Sequence, residues 1–202
     1  MDSFEVPTLS MEYNMSDLSP EGTLPSLDSL FESVNSPIGR DLKLNLKRLL
    51  EEGALSPAEG YTTLLATATA VEHRPLALFA RETLGRSGMP PEQIQEAAES
   101  AAMMGMLNVY YRFRHMVGNA DDYRTAGLRM TALARPLLGK VPFEMLAFAV
   151  SVLNGCQSCI GSHEKVLKEA EVSVEKIHDL ARLAAVVNSL KGLQAAMAKI
   201  SS

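Results

Sequence analysis

The kind of apolar residue that this sequence uses is the feature that most constrains its fold. It contains 28 Leu and 24 Ala, against only 18 Val and Ile together. Unbranched apolar side chains keep more rotamer freedom in a helix, whereas β-branched side chains favour strands. Gly and Pro fall mostly between segments of helical period, and a chain of 202 residues can bury one sizeable core. We therefore predict an all-α protein.

The charge of the chain is divided unevenly between a tail and a body. Residues 1–39 carry seven acidic side chains and no Lys or Arg, so the net charge of −5 leaves about +2 for residues 40–202. Residues 1–25 are rich in Ser, Pro and acids and show little periodicity. Such a composition buries too little apolar area to offset the entropy of ordering. We predict a flexible acidic tail over 1–25 and one helical domain over 26–202.

Several classes of partner and location are disfavoured by composition. The nearly neutral body has no basic stripe that would neutralise the phosphates of a nucleic acid. No apolar run approaches the ~20 residues of a membrane span, and the start of the chain lacks the features of a secretory signal. A cytoplasmic protein that binds neither nucleic acid nor membrane is the expectation.

The apolar periodicity and the helix-boundary residues predict a series of helices. A short amphipathic helix is expected from Ser26, with Leu27, Leu30, Phe31 and Val34 on one face and Pro37 and Gly39 ending it. Ser56 and Glu59 form a capping-box pattern at the start of another helix. Further helices are predicted over 41–51, 57–71, 76–84, 92–115, 142–153, 156–170 and from 174, with a last helix or a continuation over 188–200. Shifting the chain by 50 residues superposes Gly105 on Gly155 and Ala97 on Ala147, as a duplicated helical unit would.

The only two cysteines lie together in the pattern Cys156-x-x-Cys159-x-x-x-His163. A helix that restarts near Cys156 places both thiols in its first turn, where the unpaired N–H groups and the helix dipole favour a thiolate. Residues three apart on a helix are neighbours, so the two sulfurs can form and reopen a disulfide. His163, four residues after Cys159, is placed to act as a base. Glu144, on the preceding helix, could return to the same site and orient His163 or take a proton from Cys156.

A zinc site is the alternative interpretation of the same residues. Cys156, Cys159 and His163 would supply three ligands, and Glu144 or His178 the fourth. Two thiolates within one helical turn are cramped for a structural zinc, and the chain has no second Cys-x-x-Cys pair. We therefore prefer redox chemistry and expect no bound metal or cofactor.

The other histidines have less specific contexts. His73, beside Arg74 and Pro75, is expected in a solvated loop. His115 is expected as a cation at a helix end, and His178 is expected to face solvent or a partner subunit.

These motifs resemble the alkyl hydroperoxidase D family. The resemblance is carried by Glu144 and Asn154-Gly155-Cys156-x-x-Cys159-x-x-x-His163, and by three further segments: Asp41 to Leu46, Met104 to Arg112 and Gly127 to Met130. It covers residues 26–202. It implies an all-helical fold of the carboxymuconolactone decarboxylase-like superfamily, commonly a homotrimer, with antioxidant dithiol peroxidase activity.

The resemblance also implies partners and a role for each site residue. The protein would recycle an oxidised peroxiredoxin of the alkyl hydroperoxide reductase C type, with electrons from the dihydrolipoyl group of a lipoylated 2-oxoacid dehydrogenase subunit. Cys159 would become the sulfenic acid and would attack the partner's disulfide, and Cys156 would be the proton donor and resolving thiol. Glu144 and His163 would form the proton relay.

One departure from the family and three alternative functions stay open. Some members carry His immediately before the second cysteine, where this chain has Ser158, so any contribution of that imidazole to the relay is absent. Reduction of a peroxiredoxin could outweigh direct peroxide reduction. A decarboxylase acting on a lactone acid, as the superfamily includes, and a zinc-stabilised helical interaction module are the other two alternatives.

Overall fold

The structure is a computed structural model that describes residues 26–32, 34 and 36–200, with side chains to residue 197. The predicted tail over 1–25 lies outside the described residues. Within them the chain forms seven α-helices and no strand, which confirms the all-α prediction. The helices are α1 (Pro37–Glu51), α2 (Pro57–Ala70), α3 (Arg74–Arg86), α4 (Pro91–Met116), α5 (Lys140–Leu153), α6 (Gln157–Glu169) and α7 (Val174–Ile200). Short 3-10 turns lie at Ser29–Phe31, Ala120–Tyr123 and Thr131–Ala134.

The predicted start of α2 is confirmed in its hydrogen bonds. The Glu59 N–H donates to Ser56 Oγ at 3.3 Å, and the Ser56 N–H donates to the Glu59 carboxylate at 2.7 Å. Pro57 follows at the first helical position, where its missing N–H removes no helix bond. The Glu59 carboxylate also accepts from Lys176 Nζ at 2.7 Å, so the cap ties α2 to α7.

Two expectations for the N-terminal half are wrong. The amphipathic helix expected from Ser26 is a single 3-10 turn, and Pro37 begins α1 instead of ending a helix. So short a segment gains too few helix bonds to offset nucleation, and Phe31 alone of the turn is buried. His73 is not a solvated loop residue, because it is half-buried and its Nδ1 accepts from the Leu76 N–H at the start of α3.

The core is built around α2 and α5. Helix α2 packs against α3, α4, α5 and α7, and α5 packs also against α4, α6 and α7. Both carry continuous buried runs, over 62–68 in α2 and 145–151 in α5. A helix that is apolar on all sides is stable only inside a core. The burial of α5 therefore holds both of its ends in place. Glu144 lies near its N-terminus, and the cysteine turn follows its C-terminus.

Helix α4 is buried on one side only. Met104 lies in the core, whereas an apolar stripe on the opposite side is exposed: Met106, Val109, Phe113 and Met116. Its middle, over 97–107, is nearly free of charge in the sequence, and only one face of it is buried within the single chain. No described helix is long and apolar enough to cross a membrane.

Candidate active site

A tight turn between α5 and α6 positions the first cysteine. Asn154 ends α5, Gly155 follows with φ of +63°, and Cys156 is the N-cap of α6. Gly adopts this left-handed conformation without the steric penalty of a Cβ. The Cys156 N–H donates back to the Ser151 carbonyl at 3.2 Å. The helix break predicted at Asn154-Gly155 is confirmed, and it places Cys156 at the very start of α6.

The two cysteines form a disulfide, with 5.3 Å between their Cα atoms. Cys156 is 0% exposed and Cys159, in the first turn of α6, is 7% exposed. The pairing agrees with the helical spacing. Of the two residues, only Cys159 keeps contact with solvent, which matters for any reaction with an external partner.

Glu144 and His163 meet beside this turn. The carboxylate Oε2 of Glu144 lies 2.6 Å from Nδ1 of His163, which joins α5 to α6. The two side chains are 22% and 20% exposed, so the pair is accessible to water or substrate at one edge. A carboxylate at Nδ1 fixes the tautomer and orientation of the ring, leaving Nε2 for proton transfer.

Ser158 lies between the two cysteines and contacts the first of them. Its hydroxyl lies 3.6 Å from Cys156 Sγ, within reach of a weak sulfur hydrogen bond. Ser158 therefore contacts the disulfide at its buried cysteine. Among the described residues, no hydrogen bond joins Ser158 to Glu144 or His163.

The remaining candidate ligands are scattered. His178 is exposed on α7 in a shallow cleft against α1, and His115 is exposed in the last turn of α4. Across the described parts of the chain, no group of three or more His, Cys, Asp or Glu side chains is arranged to hold a metal ion. Burial lowers the pKa of His73, which caps α3 and takes no part in the site.

Sequence reasoning missed the polar contacts that α4 makes behind the cysteine turn. Arg112 Nη1 donates to the Asn154 carbonyl, and Asn108 hydrogen-bonds to Ser151 and Asn154. The sequence did contain a signal for them, because Asn108 and Arg112 lie four residues apart in the segment from Met104 to Arg112 and so share one face of the helix. Their direction toward the turn depends on how α4 packs on α5, which spacing alone does not give.

The fold and the disulfide together define a class: an all-helical thiol–disulfide protein with a carboxylate–imidazole pair beside its cysteines. The model of the carboxymuconolactone decarboxylase family matches residues 123–200. A curated relative, alkyl hydroperoxide reductase AhpD of Anaeromyxobacter dehalogenans, is 42% identical over 167 residues, which are 82% of this chain and 89% of the relative. Proteins of the same name from Streptomyces coelicolor and Mycobacteroides abscessus are 41% and 38% identical, over 82% and 80% of this chain and 92% and 91% of theirs.

The chain therefore belongs to the alkyl hydroperoxidase D family, within the carboxymuconolactone decarboxylase-like superfamily. The range that the family model matches includes Glu144, the cysteine turn, both cysteines and His163.

Proposed function

We propose that this protein is a dithiol peroxidase that reduces alkyl hydroperoxides and recycles an oxidised peroxiredoxin of the AhpC type, with electrons from a dihydrolipoyl protein. The observation that carries the proposal is the Cys156–Cys159 disulfide at the start of α6, with the Glu144–His163 pair on the adjoining helices. The similarity to relatives named alkyl hydroperoxide reductase AhpD supports the same activity.

Exposure favours Cys159 as the sulfur that meets the substrate. Cys159 is 7% exposed whereas Cys156 is fully buried, so a hydroperoxide can approach only the former without rearrangement. Cys159 also lies one helical turn from His163 on α6, the spacing at which side chains are neighbours. In the thioredoxin pattern the first cysteine attacks; the burial of Cys156 supports the opposite order here.

The oxidative half-reaction begins when the Cys159 thiol gives its proton to His163, the base of the Glu144–His163 relay. The thiolate attacks the terminal oxygen of the hydroperoxide: an S–O bond forms, the O–O bond breaks, and sulfur is oxidised by two electrons to a sulfenic acid. The leaving alkoxide takes the proton of Cys156 and departs as the alcohol. The Cys156 thiolate then attacks the Cys159 sulfur and expels hydroxide, which leaves as water with the proton held by the relay.

The reductive half-reaction returns both thiols. One thiolate of a dihydrolipoyl group attacks the disulfide to give a mixed disulfide, and its second thiol closes the lipoyl ring and releases Cys156 and Cys159 reduced. With an oxidised peroxiredoxin, the reduced Cys159 attacks the partner's disulfide and Cys156 resolves the mixed disulfide. Two electrons therefore pass from the dihydrolipoyl group to the hydroperoxide or to the peroxiredoxin.

Turnover of tert-butyl hydroperoxide with dihydrolipoamide as electron donor tests this proposal. Cys159→Ser is expected to abolish turnover. Without added dithiol, Cys156→Ser is expected to consume one equivalent of peroxide and then stop, because no resolving thiol closes the disulfide. Ser162→Ala, an exposed position on α6, is the control and should keep wild-type turnover. Full turnover in Cys159→Ser would refute the assignment. Adding a peroxiredoxin then shows which substrate dominates, since rapid turnover without it counts against a mainly adaptor role.

A lactone-acid decarboxylase is the second candidate, and the matched family model favours it by name. Decarboxylation needs no change in oxidation state and no cysteine pair. A protein with both cysteines replaced by Ser that still decarboxylates such a substrate would support this function. A double variant that neither decarboxylates such a substrate nor reduces a hydroperoxide supports the redox function.

The proposal extends to assembly and location. We expect a homotrimer, and the exposed apolar stripe of α4 supports a contact between copies, because apolar side chains at this spacing form one continuous face: Met106, Val109, Phe113 and Met116. Val109→Glu should dissociate the assembly in light scattering, and an unchanged mass would place the contact elsewhere. A cytoplasmic location would keep the dithiol form available.

A further inference from the structure

A buried chain of polar side chains runs behind the cysteine turn. Asn108, on α4, is 1% exposed, and Ser151, on α5, is 0% exposed. The Asn108 Nδ2 donates to Ser151 Oγ at 2.8 Å, and Asn154 Nδ2 donates to Asn108 Oδ1 at 2.9 Å. A buried amide without partners destabilises a core. In Asn108 both the amide nitrogen and the amide oxygen have a hydrogen-bond partner. Asn108 therefore joins the body of α5 to the residue that ends it.

Arg112 lies one helical turn further along α4 and holds the main chain of the same residue. Its Nη1 donates to the Asn154 carbonyl at 2.6 Å. The last carbonyls of a helix have no partner within the helix, and a charged donor forms a stronger hydrogen bond than a neutral one. Helix α4 thus holds Asn154 twice, by its side chain through Asn108 and by its carbonyl through Arg112.

These contacts fix the backbone that leads into Cys156. Asn154 precedes Cys156 by two residues, with only Gly155 between them. The Cys156 N–H donates to the carbonyl of Ser151, the residue whose hydroxyl accepts from Asn108. A glycine in a left-handed conformation is otherwise free to move, so the network supplies the rigidity that the turn lacks by itself.

We propose that Asn108 and Arg112 are positioning residues that set how readily Cys156 closes the disulfide with Cys159. The inference rests on the proposed dithiol function. A disulfide needs its two Cα atoms about 4.4–6.8 Å apart, and the observed 5.3 Å lies within that range. Holding Cys156 there raises its effective concentration at Cys159. Loosening the turn lowers that concentration, which makes the disulfide easier to reduce and slower to form.

The variants Asn108→Leu and Arg112→Met test this by removing the hydrogen bonds while keeping most of the side-chain volume. Each is expected to lower the equilibrium constant for disulfide formation about tenfold, which raises the reduction potential by about 30 mV. Closure after one equivalent of peroxide should slow by a similar factor. Arg112→Lys, which retains a charged donor, should recover part of both losses.

Asp179→Ala is the matched structural control. Asp179 is 4% exposed and accepts from the Ala54 N–H at 2.7 Å, and none of its hydrogen bonds involves α5 or α6. This variant should lose stability like the others and keep the wild-type potential. Equal potentials in all variants, with only stability reduced, would overturn the proposal. If Asn108→Leu does not fold, Ser151→Ala replaces it in the comparison, and the same rise in reduction potential is expected.

Titration in a dithiol–disulfide buffer separates this inference from the proposed function. It needs neither hydroperoxide nor a lipoyl protein, so a shift in potential supports the positioning role even if no peroxide is reduced. If the wild-type protein turns over peroxide while Asn108→Leu and Arg112→Met keep its potential and closure rate, the proposed function stands and the positioning role is wrong.

Discussion

Replacing Glu144 by Gln removes the carboxylate from His163 while preserving shape and one hydrogen-bonding oxygen. The bond to His163 spans 2.6 Å, and a hydrogen bond to a charged group contributes about 1.5–3 kcal/mol. If that contribution acts on the transition state, at 1.36 kcal/mol for each tenfold in rate the loss is about 10- to 100-fold in kcat/KM for the hydroperoxide. Both side chains are only about one-fifth exposed, so the bond is largely shielded from water and the free energy of unfolding should also fall, by about 1–3 kcal/mol.

The assay is hydroperoxide consumption at saturating dithiol, with Glu164→Gln as the control. Glu164 is also on the surface of this region and pairs with Lys168 on α6 at 2.7 Å, but it is 42% exposed and contacts neither cysteine through a hydrogen bond. It should retain wild-type kcat/KM within about twofold, because exposed ion pairs contribute little. A Glu144→Gln enzyme within about twofold of wild type would show that the carboxylate is not part of the proton relay.

Three further predictions concern stability. Ser56→Ala should lower the free energy of unfolding by about 1 kcal/mol in urea titration by removing the capping box; no change would mean the cap is not stabilising. Leu146→Ala, at a site 1% exposed in α5, should lower it by about 2–5 kcal/mol, and a loss below about 1 kcal/mol would contradict the central place of α5. Burial lowers the pKa of His73 from 6.5, so the unfolded chain binds the proton first and stability falls as pH drops below 6.5. His73→Asn, which can still cap α3 but does not titrate, should show a smaller fall; an unchanged slope would refute this.

The fold was predictable where local chemistry decides it. The Ser56–Glu59 pair marks a helix start because its bonds join residues three apart, and these bonds form as expected. The turn at Asn154-Gly155 was predictable because both residues tolerate a positive φ, which Gly155 adopts. The segment from Ser26 was not, because its apolar spacing fits a helix but its length does not sustain one beside Pro37.

The site was predictable in its residues and only partly in its geometry. The spacing of Cys156 and Cys159 determines that their sulfurs can meet, and α6 brings this about. The meeting of Glu144 with His163 depends on the angle between α5 and α6, so the sequence could only suggest it. The contacts of Asn108 and Arg112 with the cysteine turn arise from the packing of α4 on α5, between residues more than 40 positions apart.

Trapping the first oxidised sulfur tests the central claim most directly. Cys156→Ser and Cys159→Ser proteins would each be mixed with one equivalent of hydroperoxide and a sulfenic-acid reagent such as dimedone, then mapped by mass spectrometry. We expect an adduct on Cys159 in the Cys156→Ser protein and none in the Cys159→Ser protein. Rapid adduct formation on Cys156 in the Cys159→Ser protein, with none on Cys159 in the other, would contradict the assignment of Cys159 as the peroxide-reducing residue.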